Sequence, residues 1–82
     1  MAGRFDNDNR GDSRVKLTIE YEQEDDGRWI AEIPELPGVI TYGATAEEAA
    51  TKAEILALRV MAERLEHGES KPTDISISLL PA

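Results

Sequence analysis

The chain has 82 residues, a formal net charge of −8 and no cysteine. That length predicts one small domain, and the lack of cysteine excludes disulfides, thiolate metal sites and cysteine nucleophiles. No apolar run approaches a membrane span, the first residues lack the apolar core of a secretory signal, and the acidic balance argues against direct nucleic-acid binding, so we expect a cytoplasmic protein with a basic protein partner.

The N-terminal segment differs in composition from the rest of the chain. Residues 1–14 carry three arginines and three aspartates, which cancel, so the net charge of −8 belongs entirely to residues 15–82. The segment is rich in Asp, Asn, Arg and Gly and has no apolar periodicity. We therefore expect a disordered leader at 1–14 and a single domain at 15–82.

Three strand patterns follow the leader. From Val15 to Glu22 apolar and polar residues alternate strictly, which predicts a half-buried strand. EDDG at 24–27 predicts a turn with positive φ at Gly27, and a second strand follows at 28–33. A third strand is expected at 39–43.

The sequence PELPG at 34–38 separates the second and third strands. The four residues that begin at Leu36 fit a type II turn, with Pro37 second and Gly38 third. Pro34 ends the second strand, where its missing N–H does least harm. Leu36 has no evident duty at a turn tip, so its side chain is interpreted as either core or contact.

A long helix is predicted next, over residues 46–67. Thr45 is a suitable N-cap and Glu48, three residues later, completes a capping box. Gly68 suits the C′ position and Pro72 blocks continuation.

The last strand pattern, DISISLL at 74–80, completes the order β-β-β-α-β. We expect an α+β fold in which the first three strands form an antiparallel meander. A right-handed crossover through the helix would then place the fourth strand parallel to the first. The predicted sheet order is 3-2-1-4, with the helix packed on one face.

Apolar residues remain that this architecture does not need. An alanine-rich helix stripe should face the sheet: Ala46, Ala49, Ala50, Ala53, Leu56, Ala57 and Val60. A second stripe lies roughly opposite and forms a patch: Ile55, Leu58, Ala62 and Leu65. The open sheet face contributes further candidates: Ile30, Tyr42, Leu80 and either Val39 or Ile40. These surfaces predict self-association or a protein partner.

The inventory of reactive groups is poor, and no catalytic, cofactor or metal site is predicted. His67 is expected to be solvated near the negative end of the helix, and the carboxylates at 22–26 to form a solvated turn. Glu20, Glu22 and Glu32 are expected as neighbours on the sheet face away from the helix, again solvated rather than metal-binding. We expect a protein that is not an enzyme.

The segments WIAEIPELPG and TYGATAEEAA, taken together, resemble the signature of HicB-type antitoxins. The matching residues keep unbroken spacing: Trp29, Pro34, Leu36, Pro37, Gly38, Thr41, Gly43, Thr45, Glu48 and Ala49. The resemblance covers about residues 15–82 and is to the short form of the family, with the N-terminal domain only.

The resemblance implies a partial ribonuclease H-like fold, dimers or higher oligomers, and neutralisation of a small basic HicA-type toxin that cleaves RNA. The DNA-binding module that many family members carry would begin where this chain stops, so DNA binding is not expected. One alternative is an orphan self-associating domain without a toxin.

A second alternative is a residual metal-dependent nuclease. True ribonuclease H chemistry would need carboxylates on the helix side of strands 1 and 4. The positions expected there are apolar: Val15, Leu17, Ile19, Tyr21, Ile75, Ile77 and Leu79.

Overall fold

The structure is a computed structural model that describes residues 14–69 and 71–82. Its elements, in chain order, are β1 (Arg14–Gln23), β2 (Trp29–Glu32), β3 (Ile40–Gly43), α1 (Ala46–Glu66) and β4 (Asp74–Pro81). The predicted α+β fold class is confirmed. The predicted leader at 1–14 lies outside the described residues except for Arg14, with which β1 begins.

The strands form one sheet in the order β3-β2-β1-β4, as predicted. β1 pairs antiparallel with β2, and β2 with β3, whereas β4 runs parallel to β1 in a register from Arg14 opposite Asp74 to Tyr21 opposite Pro81. α1 returns the chain between β3 and β4, which is what a parallel pair requires.

The turn between β1 and β2 is closed by its own polar groups. The Gly27 N–H donates to the Glu24 carbonyl at 2.9 Å, and Gly27 has the expected positive φ of 93°. The Asp26 carboxylate accepts from the backbone N–H and the Nε of Arg28, and these bonds, the backbone one above all, lower the pKa of Asp26.

The corner between β2 and β3 contains two consecutive turns. The Leu36 N–H donates to the Ile33 carbonyl at 2.9 Å, and the Val39 N–H donates to the Leu36 carbonyl at 3.1 Å. Gly38 has a φ of 93°, which is what the third position of a type II turn requires. The predicted turn is confirmed, and the corner leads directly into the pairing of β2 with β3.

Both ends of α1 follow the sequence signals. Thr45 is the N-cap, and its hydroxyl accepts from the Glu48 N–H at 3.0 Å. At the other end Gly68 has a φ of 72°. The N–H of Glu69 donates to the Arg64 carbonyl and that of Gly68 to the Leu65 carbonyl, which together form a Schellman motif.

The core lies between α1 and one face of the sheet. Its members are the buried apolar residues Leu17, Ile19, Ala31, Ile33, Leu36, Val39, Ala49, Ala53, Ala57 and Met61. Three alanines of the predicted stripe let the helix approach the sheet closely. Met61 was not predicted to face the sheet, although it continues the same stripe one turn after Ala57.

Two open questions at the corner are answered by burial. Val39 is 8% exposed and Ile40 is 49% exposed, so Ile40 is the one that reaches the open face. Leu36 is 4% exposed and belongs to the core. Its side chain is therefore not available to a partner, and the contact interpretation of Leu36 is wrong for this structure.

The helix does not cover the whole sheet. α1 packs against β1, β2 and β3, whereas its contact with β4 is minimal. Ile77 reaches the core, but Ile75 remains exposed and Leu79 is 57% exposed. The expected side of β4 is apolar, as predicted, yet most of it is uncovered.

Candidate protein-binding surface

The sheet face opposite α1 carries two rows of side chains that cross the strands. The register places Leu80, Glu20, Glu32 and Ile40 in one row, from β4 to β3. The next row places Glu22, Ile30 and Tyr42 side by side. We call this set of seven residues the acidic sheet face. Three carboxylates lie at its centre, with apolar side chains towards both edges of the sheet.

The central carboxylates have no cationic partner among the described residues. Glu20 and Glu32 are direct cross-strand partners, and like charges in that arrangement destabilise a sheet by roughly 0.2–1 kcal/mol. Neither they nor Glu22 forms an ion pair with the described residues. The sheet therefore keeps a repulsive pair that an ordinary Lys or Thr would remove.

The apolar part of the face is accessible. Ile40, Tyr42 and Leu80 are each between two-fifths and half exposed, and Ile30 is half-buried. The Arg28 guanidinium lies 4.6 Å from the centre of the Tyr42 ring, a cation–π contact that holds the ring at the rim. Ile30, Ile40 and Tyr42 were predicted as contacts, and all three lie on this one face.

A second exposed surface runs along α1. The helix stripe consists of Ile55, Leu58, Ala62 and Leu65, all of which are exposed. The stripe lies on the far side of the helix from the buried alanines, as the periodicity predicted. It does not join the acidic sheet face, because the sheet and the core separate them.

A groove between α1 and β4 was not predicted. It has a volume of about 290 Å³, and Tyr21, Ala50 and Leu79 line it, with Glu47 and Glu54 among the polar side chains. The predicted fold has one helix packed on one face of the sheet, and this prediction does not include how many strands the helix covers. The one signal in the sequence was the number of elements, because a single helix is narrower than a sheet of four strands.

Half of the residues that carry the family resemblance lie at the β3–α1 junction, which we define as residues 41–49. The Thr41 side chain is buried, and its hydroxyl donates to the Ala49 carbonyl at 2.7 Å. A Cβ on Gly43 would lie 2.7 Å from the Ala49 nitrogen. The Glu48 carboxylate accepts from the Ala44 N–H at 2.6 Å, one residue before the N-cap N–H of a standard capping box.

The other residues of the resemblance also have places in the architecture. The Trp29 ring lies 6.3 Å from that of Tyr21, in a tilted arrangement against the core. Pro34 and Pro37 each occupy the second position of a turn closed by a hydrogen bond. Each of these residues therefore has a contact or a turn position within the fold.

One polar contact at the corner was not predicted. The Glu35 carboxylate accepts from the Thr18 N–H at 2.9 Å, where β2 has already left the side of β1. Desolvation raises the pKa of Glu35, but hydrogen bonds from Thr18 and from the residue's own N–H outweigh that effect, so the pKa is lowered. The carboxylate thus accepts the hydrogen bond that the Thr18 N–H would otherwise donate to a carbonyl of β2.

The described residues contain no group of three or more His, Cys, Asp or Glu arranged to hold a metal ion. His67 is exposed and is the C-cap of α1. The positions where ribonuclease H chemistry would need carboxylates hold aliphatic side chains packed in or against the core: Leu17, Ile19 and Ile77. Within residues 14–69 and 71–82, no helix has both the length and the hydropathy needed to cross a bilayer.

Comparison with protein-family models, with curated proteins and with solved structures found no match. The resemblance to HicB-type antitoxins and the ribonuclease H-like description of the fold therefore remain predictions that stand on the residues quoted above.

Proposed function

We propose that this chain is a HicB-like protein-binding module that neutralises a small, basic, RNA-cleaving toxin of the HicA type. The observation that carries the proposal is the uncompensated pair of Glu20 and Glu32 at the centre of the acidic sheet face. A repulsive pair with no ion pair among the described residues is stabilised when a cationic surface covers it.

The mechanism is competition for the toxin's RNA-binding surface. A protein that binds RNA neutralises phosphates with Lys and Arg, and carboxylates spaced along a sheet offer the same cations an alternative anion. The exposed apolar residues Ile40, Tyr42 and Leu80 would exclude water around the ion pairs. The toxin would be covered without any chemistry on this chain.

The proposal includes two statements on context. The chain would act in the cytoplasm, where an RNA-cleaving toxin finds its substrate. It would not bind DNA itself, because its net charge is −8.

The test begins with the short basic proteins encoded beside this chain's gene, each co-expressed with it and tested for co-purification and for rescue of growth. Binding of the rescued toxin is then measured by calorimetry for Glu20→Gln/Glu32→Gln and for Glu63→Gln/Glu66→Gln. Both double variants remove two charges, the first from the acidic sheet face and the second from exposed positions on α1.

We expect the first variant to weaken binding at least tenfold and to flatten its salt dependence, while the second binds like the parent chain. Equal weakening by both variants would show that net charge alone attracts the toxin and that the acidic sheet face is not its binding site. Failure of every basic neighbour to bind would overturn the antitoxin function.

An orphan self-associating domain is the second candidate, and the helix stripe is the observation that favours it. Four exposed apolar residues in register have no partner within the described chain: Ile55, Leu58, Ala62 and Leu65. Light scattering that shows a stable oligomer, together with no binding to any basic neighbour, would select this candidate over the antitoxin.

A further inference from the structure

Among the described residues β1 is the only neighbour of β4 in the sheet, so β4 is an outer strand whose other backbone edge no described strand covers. The Ala82 N–H donates to the Tyr21 carbonyl at 2.9 Å, so Ala82 points its backbone groups at β1. Backbone groups alternate in direction along a strand. The N–H and C=O groups of Ile75, Ile77 and Leu79 therefore point away from β1, at the free edge.

The direction of β1 agrees with this assignment. The Thr18 N–H bonds to Glu35 on the β2 side, so even-numbered residues of β1 point away from β4. Glu20, another even-numbered residue, pairs with Glu32 of β2. Odd-numbered residues of β1 then bond to even-numbered residues of β4, which leaves the odd-numbered ones of β4 unpaired within the described chain.

The two edges of the sheet are protected very differently. At the β3 edge the strand has only four residues, and the Lys52 ammonium group donates to the outward Tyr42 carbonyl at 3.1 Å. β4 has eight residues in unbroken register with β1, and Asp74 is its one charged residue. Natural edge strands are usually blocked by Lys, Pro or a bulge. β4 has proline only at its last residue.

We propose that β4 is the edge through which two copies of this chain pair, antiparallel, to form one continuous sheet. Two copies of a chain with a net charge of −8 repel each other over most of their surfaces. The repulsion is weakest at a nearly uncharged strand, so a second copy is expected to bind at β4 and not elsewhere. Residues 75–80 carry no charge, and Leu79 and Leu80 are each at least half exposed. Two copies can therefore approach at this strand without bringing carboxylates together.

The register follows from the direction of the free groups. When Ile77 lies opposite Ile77 of the partner subunit, Ile75 lies opposite Leu79 of the partner subunit. All three outward N–H groups of each copy then find a carbonyl. Centring on Leu79 would instead place Ile77 opposite Pro81 of the partner subunit, which has no N–H to donate. The chosen register also sets Asp74 opposite an uncharged residue, Leu80 of the partner subunit.

The pairing has two consequences. Strand pairing alone covers less than the roughly 800 Å² per partner of a standard interface, so the dimer is reversible and forms at high protein concentration. Its two-fold axis is perpendicular to the sheet, which puts both helices on one side and both acidic sheet faces on the other. The pairing does not depend on the proposed toxin, since it uses the backbone edge of β4, and Leu80 alone belongs both to that strand and to the acidic sheet face.

The first experiment measures dimerisation by analytical ultracentrifugation of the full chain over a range of concentrations. Ile75→Lys/Leu79→Lys places lysines opposite one another across the proposed register, and Ile55→Lys/Leu58→Lys makes the same change on the helix stripe. We expect a dimer whose dissociation constant rises at least tenfold in the first variant and is unchanged in the second, with both folded by circular dichroism.

The second experiment tests the register by disulfide formation, which is clean because the chain has no cysteine. Ser76 would lie opposite Ser78 of the partner subunit in a non-hydrogen-bonded pair, where Cβ atoms come close enough for a disulfide. A mixture of Ser76→Cys and Ser78→Cys chains should crosslink on mild oxidation, and neither variant alone should do so efficiently.

Three results would overturn the proposal. The first is a monomer at every concentration. The second is a dimer that the helix-stripe lysines dissolve while the β4 lysines leave it intact. The third is crosslinking of Ser76→Cys with itself in preference to the mixture.

Discussion

The β3–α1 junction and β4 lie at opposite edges of the sheet, and they use their side chains in opposite ways. At the junction Thr41, Gly43 and Glu48 each meet a specific backbone group of a neighbouring segment. On β4 the large apolar side chains of Leu79 and Leu80 meet solvent. The matched residues of the junction therefore make contacts that hold the fold together, whereas β4 leaves apolar surface open.

The largest expected effect is at the junction, where Gly43→Ala would test how closely β3 and α1 approach. The new Cβ would lie 2.7 Å from the Ala49 nitrogen and 3.0 Å from the Glu48 Cβ, so strand and helix must separate. We expect a loss of about 2–3 kcal/mol in the free energy of unfolding, measured with urea.

Gly27→Ala is the matched control for this substitution. Gly27 has a positive φ but open space around its Cβ position, so its replacement should cost only about 1 kcal/mol. If the Gly43 variant were no less stable than the Gly27 variant, the close approach at the junction would not be a constraint.

The next largest effect is expected at the corner between β2 and β3, where Gly38 is one of the residues that carry the resemblance. Gly38→Val forces a β-branched residue to adopt a φ of 93°, and we expect a loss of more than about 1 kcal/mol. Gly38→Asn should lose clearly less, because Asn tolerates this region. Equal melting temperatures of the valine variant and the parent chain would refute the turn.

Thr41→Val sharpens the comparison, since it keeps the shape of the side chain and removes only the hydroxyl. The bond to the Ala49 carbonyl is buried, so we expect a loss of about 1 kcal/mol, seen in thermal unfolding. Thr51→Val, on the exposed side of α1, should change stability by less than about 0.5 kcal/mol. Similar losses at both positions would mean that the hydroxyl bond contributes nothing.

Glu35→Gln has the smallest expected effect and a characteristic pH dependence. The folded-state pKa of Glu35 lies below its ordinary value of 4.5, so its contribution is present above that pH and is lost as the pH falls through the folded-state pKa. The carboxylate is exposed, and we expect a loss of less than about 1 kcal/mol at pH 7.

The check is urea unfolding of the Glu35→Gln variant and the parent at pH 7 and pH 3, where the difference should shrink. Glu63→Gln serves as a control for removing one charge. A difference that stays constant with pH would show that the contact to Thr18 does not depend on ionisation.

Hydrophobic periodicity and capping residues were sufficient to predict the elements whose bounds depend on local sequence. Alternation located β1, and the capping residues Thr45 and Gly68 bounded α1. Features that depend on how whole elements pack against one another were not predicted. The sequence does not state how far one helix reaches across four strands, so the exposure of Leu79 and the groove beside it were not expected.

The candidate surface was predicted only in part, for the same reason. Its members alternate out of the core and so could be named individually, among them Ile30 and Ile40. That Glu20 faces Glu32 directly depends on the hairpin register, which the turn sequence alone left open. The burial of Leu36 and the Glu35 contact arise from how the corner folds back onto the sheet.

The most direct test of the central claim, that the acidic sheet face keeps a repulsive pair for a basic partner, is urea unfolding of Glu32→Gln with and without the rescued toxin. We predict that the free variant is more stable than the parent by roughly 0.2–1 kcal/mol and that the toxin stabilises it less than it stabilises the parent. A free variant that is less stable than the parent, stabilised by the toxin to the same extent, would contradict the account.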